Sequence, residues 1–70
     1  MPYTLYVTDG CQSCKRVADR LIAIGIRFRE LNLSSPEIER PQGVLVVPAL
    51  FKNGVLLAYG PDIIAHVPAQ

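Results

Sequence analysis

Thr8-Asp9-Gly10-Cys11-Gln12-Ser13-Cys14-Lys15-Arg16 contains both cysteines of the chain, at C-x-x-C spacing. An aromatic and β-branched run, Tyr3 to Thr8, leads into the pair, with Asp9-Gly10 as turn residues behind it. A helical pattern leads out. The stretch therefore reads as a strand-to-helix junction with the cysteines at the bend. With Cys11 in the first turn of the helix, unpaired backbone N–H groups and the positive end of the dipole favour an anion at its sulfur. Such a site lowers a thiol pKa from about 8.5 toward roughly 3.5–7.5. Cys14 falls on the same side of the helix, within reach to resolve a mixed disulfide formed at Cys11. A dithiol–disulfide redox site is the expected chemistry. Soft thiolates at this spacing also suit Cu(I) or zinc, so a metal-binding module stays open as an alternative.

From Cys11 to Ile24 the apolar positions are Cys14, Val17, Ala18, Leu21 and Ile22. They form one amphipathic stripe, with Lys15, Arg16, Asp19 and Arg20 on the wet side. Gly25 is suited to end the helix in a left-handed conformation. The stripe takes in Cys14 and leaves out Cys11, so the first sulfur is expected to face solvent and the second the interior. Ile26 to Leu33 follows as a second strand. Its apolar residues first alternate with arginines and then change phase to Leu31 and Leu33, which leaves the register open. A strand, helix and strand in this order make a right-handed βαβ unit with parallel strands, the first of them central.

Ser34-Ser35-Pro36-Glu37-Ile38-Glu39-Arg40 offers a serine cap and a proline at a first helical position, the start of a short helix closed by Pro41 and Gly43. The apolar run Val44 to Lys52 is broken at Pro48, which suits the first residue of a strand because proline cannot donate to a ladder. Asn53-Gly54 then predicts a tight hairpin between Pro48–Lys52 and Val55–Tyr59. After Gly60-Pro61, Asp62 to Val67 reads as a terminal helix ended by Pro68. The order is β-α-β-(short α)-β-β-α, an α/β fold with a four-stranded mixed sheet.

The 70 residues make one domain, and a chain of this size must commit nearly all its apolar residues to one core. Half are hydrophobic, enough to supply that core. The net charge of +1 and the scattered arginines and lysines lack the concentrated basic footprint of a nucleic-acid binder. Met1-Pro2-Tyr3-Thr4 has neither the basic segment nor the apolar run of a signal peptide, and no apolar run approaches the ~20 residues needed to cross a bilayer. The expectation is a cytoplasmic monomer without nucleic-acid or membrane partners, whose two cysteines are catalytic or metal-binding rather than a structural staple.

The order of elements, with Cys11-Gln12-Ser13-Cys14 after the first strand and Val46-Val47-Pro48 before the hairpin, resembles the thioredoxin-like fold, a three-layer architecture, in its small glutaredoxin-like branch. The likeness covers nearly the whole chain. It implies that the Val47–Pro48 bond is cis and lies against the cysteines, and that Val47 offers its backbone to an extended substrate by strand addition. Gly60-Pro61-Asp62 is similar to the segment that holds the γ-glutamyl end of glutathione in glutaredoxins. It is more similar still to the equivalent in glutaredoxin-like electron donors of ribonucleotide reductase, which use thioredoxin reductase. The resemblance thus implies Cys11 and Cys14 as catalytic residues and Val47, Pro48, Gly60 and Asp62 as substrate-binding residues. It further implies disulfide-containing proteins or small molecules as substrates, and glutathione or thioredoxin reductase as reductant. No bound cofactor or metal is expected beyond the redox-active Cys11–Cys14 disulfide. The chain departs from the family pattern in having Ser13 where a proline precedes the second cysteine, Gly10 where a tryptophan precedes the first, no lysine at Thr8 or Asp9, and a truncated middle helix.

Other residues have quieter readings. Asp9 suits a turn or cap better than a local base, and Lys15 and Arg16 suit a solvated helix face. Lys52 and Tyr59 are candidates to rim a substrate groove, and His66 reads as a surface residue. A non-catalytic thioredoxin-like module used for protein contacts is a further alternative. Copper-carrying domains with a C-x-x-C follow the order β-α-β-β-α-β, ending in a strand where this chain reads as helix.

Overall fold

The computed structural model describes residues 2–44 and 46–67. Along them run β1 (Tyr3–Val7), α1 (Gln12–Ala23), β2 (Phe28–Asn32), β3 (Ala49–Lys52), β4 (Val55–Tyr59) and α2 (Asp62–His66). Pro68, expected to end the last helix, lies outside the described residues, as does Leu45 of the apolar run before β3.

The strands form one four-stranded sheet in the order β2-β1-β3-β4. β1 is parallel to β2, from Tyr3↔Phe28 to Val7↔Asn32, and antiparallel to β3, from Tyr3↔Lys52 to Tyr6↔Ala49. This mixed topology has a direct consequence for chemistry. The C-terminal ends of β1, β2 and β4 and the N-terminal start of β3 all fall at one edge of the sheet. The cysteine loop leaves β1 at that edge.

The βαβ unit forms because the α1 stripe has a sheet face to cover. Val17 and Leu21 are buried against Leu5 and Val7 of β1, Leu50 of β3 and Ile63 of α2 in a single cluster. Leu5, Leu21, Leu50 and Ile63 are fully buried, and each such side chain contributes about 1.5–3 kcal/mol relative to leaving it exposed. Gly25 stops α1 at φ +82°, a backbone region that costs an L residue about 1–2 kcal/mol. The β3–β4 hairpin turns at Asn53 (φ +52°) and Gly54 (φ +81°), the pair of positive φ values that the Asn-Gly signal requires. A bulge between Leu50 and Phe51 shifts the register of β3 against β4.

Two expectations are corrected. The short middle helix over residues 34–40 does not form. The segment makes isolated turns instead, with the Ser35 N–H donating to the Asn32 carbonyl at 3.1 Å and the Ile38 N–H to the Ser35 carbonyl at 3.2 Å. The Ser34 hydroxyl accepts the Asp9 backbone N–H at 3.0 Å. Between that tie and Pro41 too few residues remain to repay helix nucleation. The expected third layer is accordingly missing among the described residues. Helices α1 and α2 both pack into the Leu5–Leu50 cluster and touch one another, so they share one face of the sheet. On the opposite face Tyr6 and Phe51 meet edge to face, 5.3 Å between ring centroids. No helix among the described residues is long and apolar enough to cross a membrane.

Candidate functional site

Cys11 ends the turn after β1 and is the N-cap of α1, with extended backbone angles (φ −94°, ψ 101°). Gly10 before it has φ +69°, and this turns the chain from strand into helix. The Cys11 Sγ accepts the backbone N–H of Cys14 at 3.1 Å, and the Cys11 carbonyl accepts the Lys15 N–H at 3.2 Å. The sulfur thus takes the place usually filled by a serine or aspartate oxygen. The first turn of α1 itself carries no acidic residue. Cys14, on the core stripe, is 3% exposed, whereas Cys11 is half-buried at the rim of the same cluster. The two sulfurs are joined in a disulfide, with Cα atoms 5.2 Å apart. The orientation expected from the stripe therefore holds, and the pair can be read as one accessible and one sheltered sulfur.

On the β2 side of the pair lies a cleft of about 500 Å³, within the range typical of small-molecule sites. Both cysteines line it, together with Asp9 from the loop, Lys15 from α1, and Glu30 and Asn32 from β2. A ring of hydrogen bonds fixes its rim. The Asn32 Nδ2 donates to the Asp9 carboxylate at 2.8 Å, the Asn32 Oδ1 accepts the Ser34 N–H at 2.8 Å, and the Asp9 N–H donates to the Ser34 hydroxyl. Asp9 is thus a turn residue tied to β2 and not a cap of α1. The pairing Leu5↔Glu30 explains the rest of the wall. Phe28, Glu30 and Asn32 share the helix-bearing face, and only Phe28 packs on the core. The change of phase at Leu31 in the sequence marks where this face stops being apolar. Glu30, Asn32 and Ser34 were not singled out as site residues from sequence, and that phase change is the signal that points to them.

On the other side of β1 stand the residues expected to bind substrate. Pro48 is buried, and its carbonyl accepts the Gly60 N–H at 2.7 Å, which joins the start of β3 to the end of β4. The Val47–Pro48 bond is cis. Val47 is half-buried and packs on the same cluster as Cys11. Gly60 has φ +64°, and Asp62 is an exposed residue in the first turn of α2. None of these residues lines the cleft. Tyr59, half exposed, pairs with Ala49 at this same edge. Lys52 does not rim the site. It pairs with Tyr3 at the opposite end of the sheet, its Nζ 5.3 Å above the tyrosine ring.

Among the described residues no three His, Cys, Asp or Glu side chains come together as a metal-ligand set. Comparison with protein-family models, curated proteins and solved structures finds no match.

Proposed function

We propose that the protein is a thiol–disulfide oxidoreductase with a reduced thioredoxin-like fold, closest to the small glutaredoxin-like type, that reduces disulfides in proteins or small molecules. The observation that carries this reading is the Cys11 sulfur at the helix N-cap, within hydrogen-bonding distance of the Cys14 N–H and bonded to the sheltered Cys14. The element order, with the pair after the first strand and a proline-led hairpin beside it, supports the fold assignment.

In the reduced protein the helix terminus stabilises the Cys11 thiolate, which attacks a substrate disulfide. One substrate sulfur leaves as a thiol and the other stays joined to Cys11. Cys14 then loses its proton and attacks the Cys11 sulfur, which frees the second substrate thiol and leaves the Cys11–Cys14 disulfide. In this reading Val47, which packs on the same buried cluster as Cys11, offers its backbone to an extended protein segment, and Pro48, Gly60 and Asp62 complete the substrate-binding set. An external thiol reductant, through thioredoxin reductase or glutathione, restores the dithiol. Exchange is fastest when the attacking thiol has a pKa near ambient pH, which a helix N-terminus helps to provide.

Insulin reduction, run in parallel with thioredoxin reductase and NADPH and with glutathione and glutathione reductase, tests the activity and identifies the electron source. The expected result is precipitation of the insulin B chain in at least one arm. No acceleration over the reductants alone in either arm contradicts the reading.

A further inference from the structure

We propose that the cleft between α1 and the end of β2 is a subsite for low-molecular-weight disulfides that carry ammonium groups, separate from the flank on which protein substrates dock. The inference rests on the oxidoreductase reading and names a substrate class for the same cysteine pair. Both cysteines line this cleft, whose volume of about 500 Å³ fits a small molecule rather than the edge of a folded protein.

Its charges favour a cation. Asp9 and Glu30 are acidic and Lys15 is basic, so the lining carries two negative charges against one positive. The Asp9 carboxylate is held in place by the Asn32 amide at 2.8 Å, and its second oxygen takes no hydrogen bond from the described residues. Glu30 occupies the helix-bearing face of β2, a position that Phe28, two residues earlier on that face, uses for the core. A carboxylate on that face is tolerated because the cleft keeps it in water. A linear disulfide with its sulfurs at Cys11 then extends its amine along the cleft wall formed by Asp9 and Glu30.

The reaction is balanced as follows. The Cys11 thiolate forms a bond to one substrate sulfur as the substrate S–S bond breaks, and the first aminothiol leaves and takes a proton from water. Cys14 gives its proton to water and attacks the Cys11 sulfur, and the second aminothiol leaves in the same way. Two electrons pass from the cysteine pair to the substrate, which becomes two aminothiols. A dithiol such as dithiothreitol resets the pair.

The test uses the full chain, reduced beforehand and freed of reductant, in single-turnover reactions with cystamine, hydroxyethyl disulfide and dithiodipropionate. Each rate is divided by the rate of the same disulfide with dithiothreitol, which carries a thiolate but no cleft. The corrected preference for cystamine over dithiodipropionate should be about tenfold at low salt. It should shrink to within about twofold at high salt, where exposed charges are screened. Glu30→Gln and Asp9→Asn should each cut the preference about threefold. Asp19→Asn, which removes an exposed α1 carboxylate outside the cleft, should leave it unchanged. A corrected preference near one in the unaltered protein overturns the inference and leaves the oxidoreductase reading standing, and so does an unaltered preference in Glu30→Gln. If the reduced protein reacts with none of the three disulfides, both fall.

Discussion

On the β2 side of the cysteine pair the wall is polar, built from Asp9, Glu30 and Asn32 and tied by side-chain hydrogen bonds to a turn. On the β3–β4 side the exposed residues are apolar, Val46 at 48% and Tyr59 at 49%, and Pro48 and Gly60 are joined through their backbones. β1, which leads into the cysteine loop, lies between β2 and β3. The contrast traces to the middle segment. The segment from Ser34 forms turns instead of a helix, and Ser34 joins the hydrogen-bond ring that leaves the β2 flank open and wet. The β3–β4 flank needs no side-chain polar groups, because a hairpin and a short helix close it by burying Leu50, Ala58 and Ile63.

Cys11→Ser should erase the chemistry of both flanks at once. Insulin reduction and single-turnover reduction of cystamine should both fall to the rate of the reductant alone. Cys14→Ser should instead trap a mixed disulfide on Cys11, which mass spectrometry of the unreduced protein detects.

Leu5→Ala removes a fully buried side chain beneath both flanks. It should cost about 2–5 kcal/mol by urea denaturation of the oxidised protein. That is a large part of the total stability, which for a chain of this size is roughly 3.5–10 kcal/mol.

Smaller changes separate the flanks. Val46→Asp puts a charge on the exposed apolar side and should slow insulin reduction about fivefold, the equivalent of about 1 kcal/mol, with the cystamine rate unchanged. Equal losses with both substrates would merge the two approaches into one. Asn32→Ala cuts the ring on the polar side and should cost only about 0.5–1.5 kcal/mol in the same denaturation experiment, since the ring is exposed. Its effect should fall on cystamine and spare insulin.

Most of the fold was legible because its signals are local. The α1 stripe, Gly25, Asn53-Gly54 and the proline before β3 each act within a few residues of themselves, and the described elements follow them. The inward turn of Cys14 could be read for the same reason: it belongs to the stripe with Val17 and Leu21. The polar flank was legible only in part. The change of phase from Phe28 to Leu31 hints at it, but only the pairing Leu5↔Glu30 shows which residues of β2 share the helix-bearing face. Ser34 carries a similar ambiguity: a serine near a helix start can serve the turn or accept a distant N–H, and here it accepts that of Asp9, far away in sequence.

Alkylation of the reduced protein with iodoacetamide across pH, with each cysteine followed by mass spectrometry, examines the poised sulfur itself. Because the helix N-terminus favours the anion, Cys11 should keep reacting as the pH falls, with a midpoint clearly below 8 and therefore below the ordinary thiol value of about 8.5. Sheltered Cys14 should react far more slowly. A Cys11 midpoint at the ordinary value, with Cys14 equally reactive, would mean that the helix end does not activate the sulfur.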